Sequence, residues 1–280
     1  MTRKFDLHLH TNASDGLLEP EEVVRAAAAM GLWCIAITDH DCTGGVHRAQ
    51  QEGRKLGLPV ISGAEFTADF SGELHILGYG IDTGSEAYNT FVGEQQRRRA
   101  ERNTMMLRKL QDMGMIMPEK YTPENVSGVY GRMHMAMGLL SAGYVQSVQH
   151  AFDRYLRIGA PAYVRRRKFY SATLIKAITD SKGAAVLAHP GRLGIDNSAL
   201  GQLVRGLSAE GLKGIEAYYP THTADEVDFF VTLAEDSSLV CTYGSDWHGY
   251  AEAGIAMEFD RFAIKQETYD WLEAMVASGV

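Results

Sequence analysis

Short apolar runs in this chain end repeatedly in histidine or aspartate. The run at 5–10 carries His8 and His10, and the run at 32–38 is followed at once by Asp39, His40 and Asp41. The run at 184–188 leads into His189-Pro190, and that at 239–243 into Gly244-Ser245-Asp246-Trp247-His248. Helical stretches lie between. Pro20 opens one with Glu21 and Glu22 in its first turn; Val23, Val24, Ala27 and Ala28 form its apolar stripe, and Gly31 closes it. Further helices are expected at about 45–56, 173–181 and 224–235, with strands at 59–67, 73–80 and 214–219. Strands alternating with helices indicate a parallel α/β fold. A barrel gathers its strand ends into one mouth, whereas a doubly wound sheet gathers fewer, so the pattern predicts an α/β barrel. From 87 to 162 the alternation stops and helices are expected at 91–113, 133–142 and 148–156. This predicts a barrel domain from 1–86 and 163–280, with a small helical insertion domain, 87–162, over its mouth.

Composition narrows the classes further. At 280 residues, 45% hydrophobic and 22% charged, the chain suits one large core with a small subdomain, and excludes collagen, a disulfide scaffold or low-complexity disorder. The N-terminal residues show no apolar signal region, and no stretch reaches the length of a membrane span, so no membrane association is expected. Cys34, Cys42 and Cys241 are odd in number and far apart, which suits a reducing cytoplasm. A net charge of −8 argues against coating long nucleic acid by bulk electrostatics. Oligomeric state is not set by any of these features.

The histidines carry the chemistry. His8 and His10 are two apart on a strand, so both side chains face one way. Burying two imidazoles side by side is unfavourable unless something joins them, and a metal ion does. Asp15, Glu65 and Asp246 add carboxylates at or just beyond other strand ends. With few cysteines nearby, this nitrogen and oxygen donor set suits Zn²⁺, Mn²⁺ or Fe²⁺ rather than a structural zinc knuckle. The donors exceed the needs of one ion, which predicts two or three.

Asp6-Leu7-His8-Leu9-His10-Thr11 with Ser14-Asp15-Gly16 resembles the first motif of the PHP (polymerase and histidinol phosphatase) metal-dependent phosphoesterases. Thr38-Asp39-His40-Asp41, Ala188-His189-Pro190-Gly191 and Gly244-Ser245-Asp246-Trp247-His248 resemble the second, third and fourth. Gly63-Ala64-Glu65 and the segment from Glu73 through His75 to Tyr79 match the intervening ligands. The resemblance implies a distorted seven-stranded barrel with a trinuclear centre. It gives His8, His10, Glu65 and Asp246 to one ion; Glu65, His75 and His134 to a second; and Asp15, His40 and His248 to a third. Many relatives have histidine where this chain has Asp15, and the harder oxygen ligand favours Mn²⁺ foremost or Fe²⁺ over Zn²⁺. On its own, His134 in Gly131-Arg132-Met133-His134 reads as a solvated helix histidine; the resemblance makes it a ligand. That ligand set is complete without His189, which leaves His189 to contact phosphate or donate a proton, with metal ligation as the alternative. His47, His150 and His222 have no such context and are assigned structural or surface roles.

Bound ions lower the pKa of a water and neutralise a phosphoryl group, which fits phosphate ester hydrolysis by attack of a metal-activated hydroxide. Asp246 is the expected acceptor of the water's proton, and His248 or His189 the donor to the leaving oxygen. On the helix at 91–113, Arg99 and Arg102 are i, i+3 neighbours and Arg98 and Arg102 are i, i+4, so they share a face. That face is either solvated or a bidentate grip for a second phosphate, with Asn103, Arg132 and Arg192 alongside. Arg165-Arg166-Arg167-Lys168 reads instead as structural or solvated. Gly131-Arg132-x-His134, Ala151-Phe152-x-x-Tyr155-Leu156 and Ala188-His189-Pro190-Gly191-Arg192 resemble a bacterial branch of stand-alone PHP enzymes. The resemblance implies a 3′,5′-nucleoside bisphosphate phosphatase, with the 3′-phosphate on the metals, the 5′-phosphate on the arginines, and adenosine 3′,5′-bisphosphate converted to AMP. Alternatives are a 5′→3′ exoribonuclease on short RNA, a histidinol-phosphate phosphatase, and a non-catalytic metal-binding PHP module.

Overall fold

A computed structural model describes residues 3–250 and 254–278. Seven strands, β1 (Phe5–Leu9), β2 (Cys34–Ile37), β3 (Val60–Thr67), β4 (His75–Tyr79), β5 (Ala184–Leu187), β6 (Gly214–Tyr218) and β7 (Val240–Tyr243), pair in chain order. The first and last meet beyond their ends: Leu9 bridges Trp247 in parallel, and the His10 amide donates to the Trp247 carbonyl at 3.0 Å. The sheet is thus a nearly closed barrel. Its strands are short, buried and rich in Ile, Val, Leu and Ala, which lets them be covered on both faces.

One strand departs from the parallel expectation. β4 runs antiparallel to both β3 and β5. The link between β3 and β4 is residues 68–74, too short for a parallel crossover, so the pair is a hairpin. This reversal matters for the site. Because Thr67 opposes His75, the first residue of β4 stands at the same barrel end as the last residues of its neighbours.

Helices α1 (Pro20–Ala29), α2 (Val46–Leu56), α6 (Ser171–Asp180), α7 (Asn197–Glu210) and α8 (Ala224–Asp236) link successive strands on the outside, and α9 (Gln266–Ala277) follows β7. α1 starts at Pro20, with Glu22 reaching back to the Glu19 amide at 3.0 Å. Between β4 and β5 lie α3 (Glu86–Asp112), α4 (Arg132–Ser141) and α5 (Val148–Ala151), the last continuing as one π-helical turn, Phe152–Leu156. α3 is one unbroken helix with two partners. Tyr88 and Val92 join the barrel core, while Met106 and Leu110 join a second apolar cluster with Met135, Leu139 and Leu156. The expected division at residue 87 therefore falls inside a helix rather than at a linker. Gly128 ties this region to the barrel: at φ +83° a Cβ there would lie 2.3 Å from the Ala13 backbone, and Val129 donates to Ala13 at 2.8 Å.

Candidate metal centre

The barrel mouth collects the strand-end side chains into three groups whose ligand atoms lie within 4.8 Å of one another: His8, His10, Glu65 and Asp246; His10, Asp15, His40 and His248; and Glu65, His75 and His189. In the first, His8 and His10 aim Nε2 at the same two oxygens, 3.5 Å from Glu65 Oε2 and 3.4 and 3.2 Å from Asp246 Oδ1. In the third, Glu65 Oε1 lies 2.6 Å from His75 Nδ1 and 3.1 Å from His189 Nε2. Around Asp15, His248 Nε2 is 3.5 Å and His40 Nε2 3.8 Å away. Glu65 and His10 each belong to two groups, so neighbouring ions would share them.

Several of these atoms are buried with no hydrogen-bond partner: His8 Nε2, both nitrogens of His10, Asp15 Oδ1 and Glu65 Oε2. Such groups cost about 1–3 kcal/mol each when left unsatisfied, and a cation would satisfy them together. The residues therefore fit divalent ions. Burial alone would raise the pKa values of Glu65, Asp15 and Asp246, but the surrounding imidazoles hold all three well below the carboxylate range. Burial lowers His10 to about 3, with His248 adding to the fall, so it is a neutral donor at pH 7.

A further layer sets the rings. Glu216, in mid-strand and fully buried, accepts from His8 Nδ1 at 2.9 Å and from the His189 amide at 2.8 Å. Fixing the proton on His8 Nδ1 leaves its Nε2 lone pair free for a metal. Burial pushes Glu216 up to about 7, with His8 opposing. Asp39 accepts from Thr11 and Ser14, and Asp6 from the His8, Ser245 and Ala256 amides, which pins the loops after β1 and β7. Neither Glu216 nor Asp6 was singled out as a positioning group from sequence; the available signal was a carboxylate inside an otherwise apolar strand.

Two expected assignments change. His134 joins none of the three groups. Its Nδ1 accepts from the Gly131 amide at 3.1 Å and its ring stacks on Tyr130, so it closes the first turn of α4. His189 stands with Glu65 and His75 in its place. Asn103 turns away from the cavity, its amide donating to the Tyr130 carbonyl at 2.7 Å. The three residues expected to move protons, Asp246, His248 and His189, all present ligand atoms inside the groups. His222 pins the turn after β5 by accepting from Gly191 and donating to Ala217, while His47 and His150 bond locally on the exterior.

The cavity beside these groups is walled by cations: Arg99, Arg102, Arg132, Arg166, Lys168 and Arg192. Most are engaged. Arg99 donates to Asp41 Oδ2 at 2.7 and 2.8 Å, Arg166 reaches the same oxygen at 2.5 Å, and Arg132 pairs with Glu73. Arg192 meets Tyr219 and Asp246 Oδ2, each at 3.1 Å. Arg102 differs. It is 7% exposed, has no carboxylate partner among the described residues, and its Nε is unsatisfied. Burial, then Arg99, Arg132 and Arg166, pushes its pKa well down. A guanidinium stays protonated in proteins, so this describes a strained cation rather than a neutral one. In 165–168 the side chains alternate: Arg165 and Arg167 are exposed, Arg166 is buried, and Lys168 lines the cavity. Arg166 and Lys168 thus reach the cavity, although four consecutive basic residues carry no alternation in the sequence that marks them.

Comparison with known proteins agrees with this arrangement. The PHP domain profile matches residues 6–238. The chain is 33% identical over 257 residues to a 3′,5′-nucleoside bisphosphate phosphatase of Chromobacterium violaceum, covering 89% of each. It is 31% identical over 260 residues to a 5′-3′ exoribonuclease of Haemophilus influenzae, covering 91% of this chain and 94% of that one. Among solved structures, a metal-dependent phosphoesterase of Bifidobacterium adolescentis superposes with a TM-score of 0.86 at 25% identity, covering 98% and 97% of the two chains. With the motifs, the barrel and the metal-ready groups in agreement, the chain belongs to the PHP-domain family of metal-dependent phosphoesterases.

Proposed function

We propose that this protein is a phosphomonoesterase that removes the 3′-phosphate from nucleoside 3′,5′-bisphosphates, adenosine 3′,5′-bisphosphate giving AMP and phosphate. The observation that carries this reading is one cavity lined both by imidazoles and carboxylates suited to cations and by guanidiniums suited to an anion. Two or three divalent ions, Mn²⁺ foremost, would be held by His8, His10, Asp15, His40, Glu65, His75, His189, Asp246 and His248. When bound, they neutralise phosphoryl charge and lower the pKa of a coordinated water. The protein's own part is placement. Glu216 fixes His8 and His189, and Asp41 holds Arg99 and Arg166 together at the cavity lining. Arg102 and Arg166 keep unpartnered donors, Nε and Nη2, for the 5′-phosphate. Arg132 and Arg192 would exchange a protein carboxylate for a phosphate oxygen at little net cost.

The relative that acts on a bisphosphate supports the substrate class, and the exoribonuclease relative supports short 5′-phosphorylated RNA as a second substrate. Histidinol phosphate fits less well. Of the cavity carboxylates, Asp15, Glu65 and Asp246 face the metal groups and Glu73 pairs with Arg132, which leaves none for an ammonium. Phosphate release from Mn²⁺-loaded protein is the test, comparing adenosine 3′,5′-bisphosphate, 3′-AMP, 5′-AMP, 5′-phosphorylated dinucleotide and histidinol phosphate. A kcat/KM advantage of about tenfold or more for the bisphosphate over 3′-AMP is expected if one charged contact holds the second phosphate. Equal values for the two would defeat the reading.

A further inference from the structure

Behind the arginine wall lies a second concavity, lined by Arg97, Arg98, Arg102, Arg165, Arg166 and Arg167 with a single acid, Glu101. Two of these residues, Arg102 and Arg166, also line the central cavity, so the concavities abut at the guanidiniums assigned to the 5′-phosphate. Both are buried and both keep a donor atom without a partner, Nε of Arg102 and Nη2 of Arg166. The rim is held open by other contacts. Arg98 lies over the Phe169 ring at 3.8 Å and pairs with Glu94, Arg97 is spanned by Glu94 and Glu101, and Arg165 pairs with Asp69. Arg167 is exposed and has no partner among the described residues. Of the six, Arg97, Arg98, Arg165 and Arg166 meet carboxylates, while Arg102 and Arg167 meet none among the described residues, so the groove keeps an excess of positive charge that an anion would offset.

We infer that this outer groove is an extension of the 5′-phosphate subsite that takes the β-phosphate of a nucleotide 5′-diphosphate, so that 3′-phosphorylated nucleoside 5′-diphosphates are substrates as well as 5′-monophosphates. The inference rests on the proposed placement of the 5′-phosphate at Arg102 and Arg166. With the α-phosphate at Arg102 and Arg166, which line both concavities, the groove is the adjoining space open to the next phosphate along the chain. Planar forks from two sides suit a pyrophosphate better than a phosphodiester, whose next group is a bulky ribose. The reaction is unchanged: water adds to the 3′-phosphorus, the bond to the ribose 3′-oxygen breaks and that oxygen takes up a proton from the water, so the products are inorganic phosphate and a nucleoside with its 5′-diphosphate intact.

The test uses metal-loaded full-length protein and calorimetric binding of AMP and ADP, with the 5′-phosphorylated dinucleotide as a third ligand. ADP is expected to bind about tenfold tighter than AMP, the worth of one charge-assisted contact. The double variant Arg165→Ala/Arg167→Ala, both exposed, is expected to abolish that gain while leaving AMP binding and bisphosphate turnover within twofold. A gain that survives in the variant would place the β-phosphate on the metals and overturn the inference, as would a gain by the dinucleotide in place of ADP. In turnover, adenosine 3′-phosphate 5′-diphosphate is expected to show a lower KM than the bisphosphate in wild type only. Equal turnover of 3′-AMP and bisphosphate would refute the substrate reading itself, a result distinct from equal binding of AMP and ADP, which refutes only the extension.

Discussion

Replacing Arg102 with methionine should make the protein more stable and its phosphate chemistry worse. The guanidinium is 7% exposed, has three arginines, Arg99, Arg132 and Arg166, acting against its charge, and among the described residues no carboxylate partner to offset them. Swapping a buried, poorly compensated ion for an apolar chain of similar volume is neutral to stabilising, by about 1–4 kcal/mol. For a domain of this size each 1 kcal/mol moves the melting temperature by about 2–4 °C. The opposite sign applies to substrate. One charge-assisted hydrogen bond to phosphate is worth about 1.5–3 kcal/mol, so kcat/KM for the bisphosphate should fall roughly 10- to 150-fold. Turnover of 3′-AMP, which places nothing on that wall, should stay within about twofold. Urea unfolding in phosphate-free buffer and paired kinetics read both signs. A variant that is less stable and loses both substrates equally would show that Arg102 is a structural residue and refute the argument.

Glu216→Gln keeps a hydrogen bond to one partner but no longer fixes the proton on His8 Nδ1; metal affinity, followed by competition with a chelating dye, should drop about 10- to 100-fold while far-ultraviolet circular dichroism is unchanged. His189→Ala should lower the bound metal content of purified protein, and His134→Ala should not; the reverse outcome would restore His134 as the third partner of Glu65 and His75. Lys168 introduces a pH limb. Burial first, then Arg166, lowers it to about 8, so its charge is lost as pH rises through that value and bisphosphate KM should increase above it. Because the unfolded chain binds that proton up to about 10.4, the same residue makes stability rise with pH between about 8 and 10.4. Lys168→Arg should remove the KM limb and leave 3′-AMP kinetics flat across it.

Period and spacing revealed the barrel because its strands are short, buried runs whose ends carry the chemistry, and that pairing of signals is hard to produce otherwise. His8, His10, His40, Asp246 and His248 were legible in this way. His75 was legible only through the family motif, since it opens its strand, and its position at the mouth depends on β4 being reversed by the short 68–74 link. His134 also rested on the family motif alone, its own context reading as a solvated helix histidine, and in the structure the amide of Gly131 takes its Nδ1. The arginine wall was half visible. Helical spacing marked Arg99 and Arg102, but Arg166 and Lys168 sit on an extended segment where the alternation spans only four residues, too few to separate from a solvated run. Glu216 could have been suspected from burial cost alone, but its two partners, 208 and 27 residues away, could not.

The backbone shows how a barrel supplies more functional groups at its mouth than its strands have inward positions. Asp41, His189 and Asp246 follow β2, β5 and β7, and all three are non-glycine residues with positive φ, 50°, 28° and 57°. A strand that simply continued would alternate its side chains in and out; a left-handed residue just past the strand breaks the alternation and turns the chain back over the mouth. Each such residue costs about 1–3 kcal/mol, a sizeable share of a net stability of about 5–15 kcal/mol. The surrounding contacts offset that cost: Glu216 accepts the His189 amide, Arg99 and Arg166 converge on Asp41, and Tyr219 and Arg192 meet Asp246. Glycine would adopt these conformations without strain, but it has no side chain to offer. At these three strand ends the strained residue is one whose side chain is used, two facing the cation sites and one holding two of the arginines that line the cavity.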